Sequence, residues 1–70
     1  MYTIGVDLGG TNIAIGIVNA RSGLRLRAKP NTDAAVLAVA SEGDYVVIIR
    51  RSGDWYLVDY NLNIGYMSAS

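Results

Sequence analysis

The chain has no cysteine, no histidine and no phenylalanine, and only one proline and one tryptophan in 70 residues. Without cysteine, no disulfide staples the fold and no thiolate binds a metal. Without histidine, the commonest general base and the commonest imidazole ligand are missing. Only six carboxylates are present, at Asp7, Asp33, Glu42, Asp44, Asp54 and Asp59. Net charge is zero, so there is no broad basic field to draw in nucleic acid. Long apolar runs are missing too. The longest, IAIGIV, is far too short to cross a bilayer. The N-terminus lacks the basic start and cleavage site of a signal peptide, and Asp7 interrupts it. These absences set the expectations: no enzyme, no metal or other cofactor, no nucleic acid and no membrane.

What is present is apolar. The share is 51%, so packing must supply the stability that staples and metals do not. Seventy residues make one domain at most. A chain this short buries only about 60% of the surface its unfolded form exposes. Positive charge is local: Arg21, Arg25, Arg27 and Lys29 fall close together, and Arg50 adjoins Arg51. A solvated strand face explains that pattern. A groove for an anionic ligand is the sharper alternative.

No stretch holds a helical period, whereas strand signals recur between short turn signals. YTIGVDL alternates, and IAIGIV sets Ile13, Ile15 and Ile17 on one face against Ala14 and Gly16 on the other. Gly9 and Gly10 suit the turn between them. The small-residue face of this hairpin invites close approach by another element. RSG turns the chain. LRLRAKPNTDAAVLAVA then reads as a short strand, a loop punctuated by Pro30 and Asn31, and a second strand. SEGD turns, YVVIIRR is strongly strand-like, and RSGD turns again. DWYLVDY alternates Trp55, Leu57 and Asp59 against Tyr56, Val58 and Tyr60, so Tyr56 or Tyr60 belongs with the core. YNLN turns into a last strand, NIGYMSA. About five or six short strands with tight turns suggest an all-β fold, a small closed or half-closed barrel.

From Val18 to the end, the chain resembles the bacterial SH3-like domain family. VNARSGLRLRAKPNTDAAVLAVA is similar to the family's first two strands and the segment between them. SEGDYVVII is similar to its next turn and strand, and GDWYLVDYNLNIGYMSAS to its ending. Trp55, Val58, Gly65 and Tyr66 stand where that pattern has its tryptophan, valine and Gly-Tyr pair. The chain departs from it at Ala28-Lys29, where the family has Ser-Gly, and in stopping just after YMSAS. Residues 1–19, MYTIGVDLGGTNIAIGIVN, resemble instead the first strand pair of ROK-family sugar kinases, within the actin-like ATPase fold. That family's Asp-x-Gly-Gly-Thr motif is met by Asp7, Gly9, Gly10 and Thr11. The resemblance assigns these residues to a phosphate loop, but the other parts of a kinase site are missing. Phosphoryl transfer needs ATP, metal and acceptor positioned together, so the loop is expected to be non-functional.

Together the two resemblances imply a chimera: a hairpin extension at residues 1–17 and an SH3-like barrel at residues 18–70. They imply a non-catalytic binding module that recognises cell-wall (peptidoglycan) peptides or glycopeptides, or another peptide, in the bacterial envelope or outside the cell. The ligand-binding residues expected on that basis are Asn31, Thr32, Asp33, Trp55, Tyr60 and Tyr66. A turn held by Asn31, Asp33 and Pro30 is the plainer reading of the loop. Other readings stay open. One is a homodimer formed through the hairpin, since Ile13, Ile15 and Ile17 need cover. Another is an engineered or relic chimera with no selected ligand. The serines lack a base to activate them, and Asp44 and Asp54 are read as turn residues.

Overall fold

The computed structural model describes the backbone of residues 4–8 and the whole of residues 14–69. Gly9, Gly10 and Thr11 of the phosphate-loop motif, and Ile13 of the hairpin face, lie outside the described residues. The described chain is all-β, as the alternation predicts, and forms an SH3-like barrel. Among the described residues seven strands occur: β1 (Ile4–Leu8), β2 (Ala14–Val18), β3 (Leu24–Arg27), β4 (Val36–Ala40), β5 (Tyr45–Ser52), β6 (Trp55–Tyr60) and β7 (Asn63–Ser68). That is more than the five or six expected. Within AAVLAVA, residues Val36–Ala40 form a strand despite the alanines, since the run is too short for a stable helix and Val36 and Val39 suit a pleated surface.

The strands form one antiparallel sheet in the order β1-β2-β5-β6-β7-β3-β4. Its centre is the meander β5-β6-β7. β2 adds to the outer edge of β5, pairing Ala14 with Ile48 and Ile17 with Tyr45. β3 joins β7 where Arg27 faces Tyr66. Each strand from β2 to β7 sends at least one side chain into a single core of Val18, Leu24, Leu26, Ala40, Val46, Val58 and Met67. A sheet whose strands all point one face at the same cluster must curl around it, and this gives the barrel its shape. Two bulges assist the curl, one at Leu26/Arg27 and one between Ile48 and Arg50.

Three local features hold the curl. Gly65 is buried where β3 crosses β7, and a Cβ there would lie 2.7 Å from the Arg27 carbonyl oxygen. Glycine lets the two backbones meet. Gly16 is also buried, so the small-residue face of IAIGIV is the one that faces inward. The residue that follows β7 is fixed as well. Ala69 is buried, and its N–H donates to the Asp54 carbonyl at 2.8 Å.

Candidate functional site

Strand β6 fixes what each face of the sheet offers. Val58 is fully buried, and Tyr56 and Tyr60 pack beside it against the core. By the two-residue period, Trp55, Leu57 and Asp59 take the outer face. Pairing with β7 sets Trp55 opposite Ser68, Leu57 opposite Tyr66 and Asp59 opposite Ile64. Trp55 and Tyr66 are therefore diagonal neighbours, about 7–8 Å apart at the backbone and within reach of one another's rings. Both are half-buried, as is Leu57, which stands opposite Tyr66 and two residues along β6 from Trp55. On the β5 side, Arg50 pairs with Leu57 and its guanidinium donates a long 3.5 Å hydrogen bond to the Tyr66 hydroxyl. Arg27 pairs with Tyr66 on the β3 side. The result is an amphipathic strip of two aromatics and a leucine between two arginines.

The loop after β3 begins at this strip. Arg27 holds it by donating from Nη1 to the Ala34 carbonyl at 3.0 Å. The Ala28 N–H donates to the Ala35 carbonyl at 2.9 Å and closes the loop's base. Within it, the Asn31 side-chain oxygen accepts the Asp33 N–H at 3.0 Å, an Asx turn that bends the chain after Pro30. The side chains of Thr32 and Asp33 stay exposed. A shallow cavity of about 340 Å³ is lined by Lys29, Asn31, Asp33 and neighbouring alanines. That volume is at the lower end of the range for small-ligand pockets.

The structure thus brings Tyr66 and Trp55 together, and Tyr66 next to the base of the loop that carries Asn31, Thr32 and Asp33. It puts Tyr60 elsewhere, on the opposite face of β6 from Trp55 and at the other end of that strand. The Tyr60 hydroxyl donates to Asp44 Oδ2 at 2.7 Å, and the same oxygen accepts the Ser41 N–H at 2.9 Å. These bonds tie the end of β6 to the turn before β5. The Tyr60 hydrogen bond, followed by the one from Ser41, holds the Asp44 carboxyl below its ordinary value. The same hydrogen bond, with burial and the nearby charge adding to it, raises the Tyr60 phenol. Asp44 and Asp54 lie at opposite ends of β5 and do not form a carboxylate pair.

Sequence reasoning does not place Leu57 at the site, and it names Arg27 and Arg50 only within clusters that could line a groove for an anionic ligand. Leu57 is within its reach, because it shares the alternating face of DWYLVDY with Trp55. The two arginines require the pairing of β3 and β5 with their neighbours, which no local pattern encodes. Arg51 is engaged away from the strip. Its guanidinium sits 5.4 Å from the Tyr56 ring centroid, and its Nε donates to the Gly53 carbonyl at 2.9 Å. Among the described residues no group of three or more carboxylates could hold a metal ion. Asp7 is placed by its register alone, opposite Ile15.

Neither the curated proteins nor the solved structures contain a match to this chain. A family model, the bacterial SH3 domain, matches residues 22–70. Its span covers β3 to β7, the strands that carry the aromatic strip, the loop and most of the core. The chain belongs to the bacterial SH3 domain family.

Proposed function

We propose that the chain is a non-catalytic binding module whose outer strip and adjoining loop take a peptide, with bacterial cell-wall peptides as the ligand class. The observation that carries this reading is the Trp55-Leu57-Tyr66 strip beside a loop with exposed polar side chains. Flat aromatic faces give contact area at low entropic cost, and a few polar groups beside them fix orientation. Membership of the bacterial SH3 domain family supports a binding role, and the envelope is the location that goes with this ligand class. Asn31, Thr32 and Asp33 would hydrogen-bond peptide amides, while Trp55 and Tyr66 stack. Tyr60 acts at one remove, by fixing the turn before β5.

In this reading residues 1–17 are a hairpin extension of the barrel at residues 18–70, and Asp7, Gly9, Gly10 and Thr11 bind no nucleotide. The test is an amide correlation NMR spectrum of the labelled chain with and without soluble peptidoglycan fragments. Saturable shifts at Lys29–Asp33, Tyr66 and the Trp55 indole are expected. A dispersed spectrum that ignores the fragments would sink the ligand class. Mg-ATP is expected to leave the amides of Asp7 to Thr11 unshifted.

A further inference from the structure

A second concavity adjoins that strip on the same face, beyond Leu57, and is larger than the cavity in the loop. It occupies about 550 Å³ on the outer face of β2, β5 and β6, lined by Ile15, Ile17, Tyr45, Val47, Asp59 and Leu62 among others. Ile15 and Ile17 of its lining stand on β2, which precedes the residues matched by the family, so the family's own pattern does not account for that wall. Ile15, Ile17 and Val47 keep 38%, 42% and 44% of their surface exposed there.

Two features set this groove apart from an ordinary greasy patch. The first is Asp59. It faces Val47 across the sheet, and its Oδ1 atom is buried with no hydrogen-bond partner. A buried carboxylate oxygen without a donor is costly, and such atoms are rare enough to need a reason. Arg50 and Arg27, the cations of the neighbouring strip, are held by the Tyr66 hydroxyl and the Ala34 carbonyl. The second is Leu62 on the rim. It is 93% exposed and sits at φ +67°. A bulky residue in the left-handed region is a strained choice where glycine would do, and such strain concentrates at ligand clamps.

We propose that this groove is a second binding site, which takes a leucine-sized side chain of a peptide partner with an arginine or lysine beside it. The apolar side chain covers Ile15, Ile17 and Val47 and meets Leu62. The cation supplies the donor that Asp59 lacks, and their charges are complementary. Burial of the pair against the surrounding apolar side chains strengthens that bond relative to water.

The test uses the full labelled chain and two probe peptides, acetyl-Leu-Arg-Leu-amide and its citrulline analogue, which is neutral and of the same shape. Saturable amide shifts are expected at Ile15, Ile17, Val47, Asp59 and Leu62, with the arginine peptide binding about tenfold more tightly. Asp59→Asn removes that preference and leaves the weaker binding of the citrulline peptide. Leu62→Gly relaxes the turn, keeps the fold and weakens both peptides. Equal affinity for the two peptides, no saturable shift, or binding indifferent to Leu62→Gly would each overturn the proposal. So would groove shifts that follow protein concentration alone with a doubling of mass, which would make a second copy the occupant. The outcome is independent of the wall-peptide reading, whose shifts fall on Lys29–Asp33 and Trp55.

Discussion

Asn61 and Leu62 both have positive φ, 49° and 67°, in the two-residue turn that joins Tyr60 to Asn63. Such a turn needs positive φ at both central positions, and Asn-Gly is its best filling. Leucine there costs about 1–2 kcal/mol of backbone strain. Leu62→Gly removes that strain, adds about 0.4–1 kcal/mol of chain entropy to be lost on folding, and forfeits almost no packing. The net expectation is a gain of about 0.5–1 kcal/mol, seen as a rise of a few degrees in the thermal midpoint. Tyr60 supports a pH prediction. Asp44 is depressed in the fold, so its contribution is present above its ordinary value of 3.8 and is lost as pH falls through the lower folded value. Tyr60 is raised, so its contribution is present below its ordinary value of 10.0 and is lost as pH climbs through the higher folded value. Tyr60→Phe therefore weakens the acid-side loss and abolishes this phenol's alkaline loss. Denaturant titrations of both proteins across pH will show whether the two profiles converge at the extremes.

Strand β2 is where sequence and structure say most about each other. Val18 at its end is 1% exposed, as deeply set as Val58 at 0% in the middle of the meander. Val18→Ala and Val58→Ala are each expected to cost about 2 kcal/mol, two lost methyl groups plus a small cavity. Chemical unfolding of the two variants measures this directly. A much smaller cost at Val18 would mean that β2 is a detachable appendage. The strands themselves were legible, because alternation in DWYLVDY states its faces outright and the β-branched run YVVIIRR marks a strand. The inward face of IAIGIV was legible from Gly16, whose missing side chain signalled a close approach. The partners were not. Nothing local in AIGIV says that it will lie beside β5, and nothing in LRLR says that Arg27 will meet Tyr66. The family resemblance grouped Tyr60 with Trp55, although an odd spacing of five residues on one strand sends them to opposite faces. The turn YNLN was legible as a turn, but its left-handed leucine was not, since leucine is among the last residues that conformation would select.

The whole molecule joins local and distant pairings. β5, β6 and β7 meet through two tight turns, whereas β2 must find β5 and β3 must find β7 across long stretches of chain. Closing long loops costs entropy before contacts offset it, so distant pairings tend to form late. Val58→Ala is expected to slow folding, and Val18→Ala mainly to speed unfolding. Stopped-flow chevrons of the two variants separate these effects, and equal slowing of folding by both would place β2 in the folding nucleus. The order also matters on the ribosome, where β2 is made well before β5, the partner on its second edge. At about 5–20 residues per second the strand waits on the order of seconds for β5 to emerge. Its isoleucines and the backbone edge that will meet β5 are open to other chains during that time. Gly16 interrupts the run at its middle, and glycine is scarce in segments that stack into fibrils. Gly16, buried in the finished barrel, thus also shields the nascent strand while its second edge waits for β5.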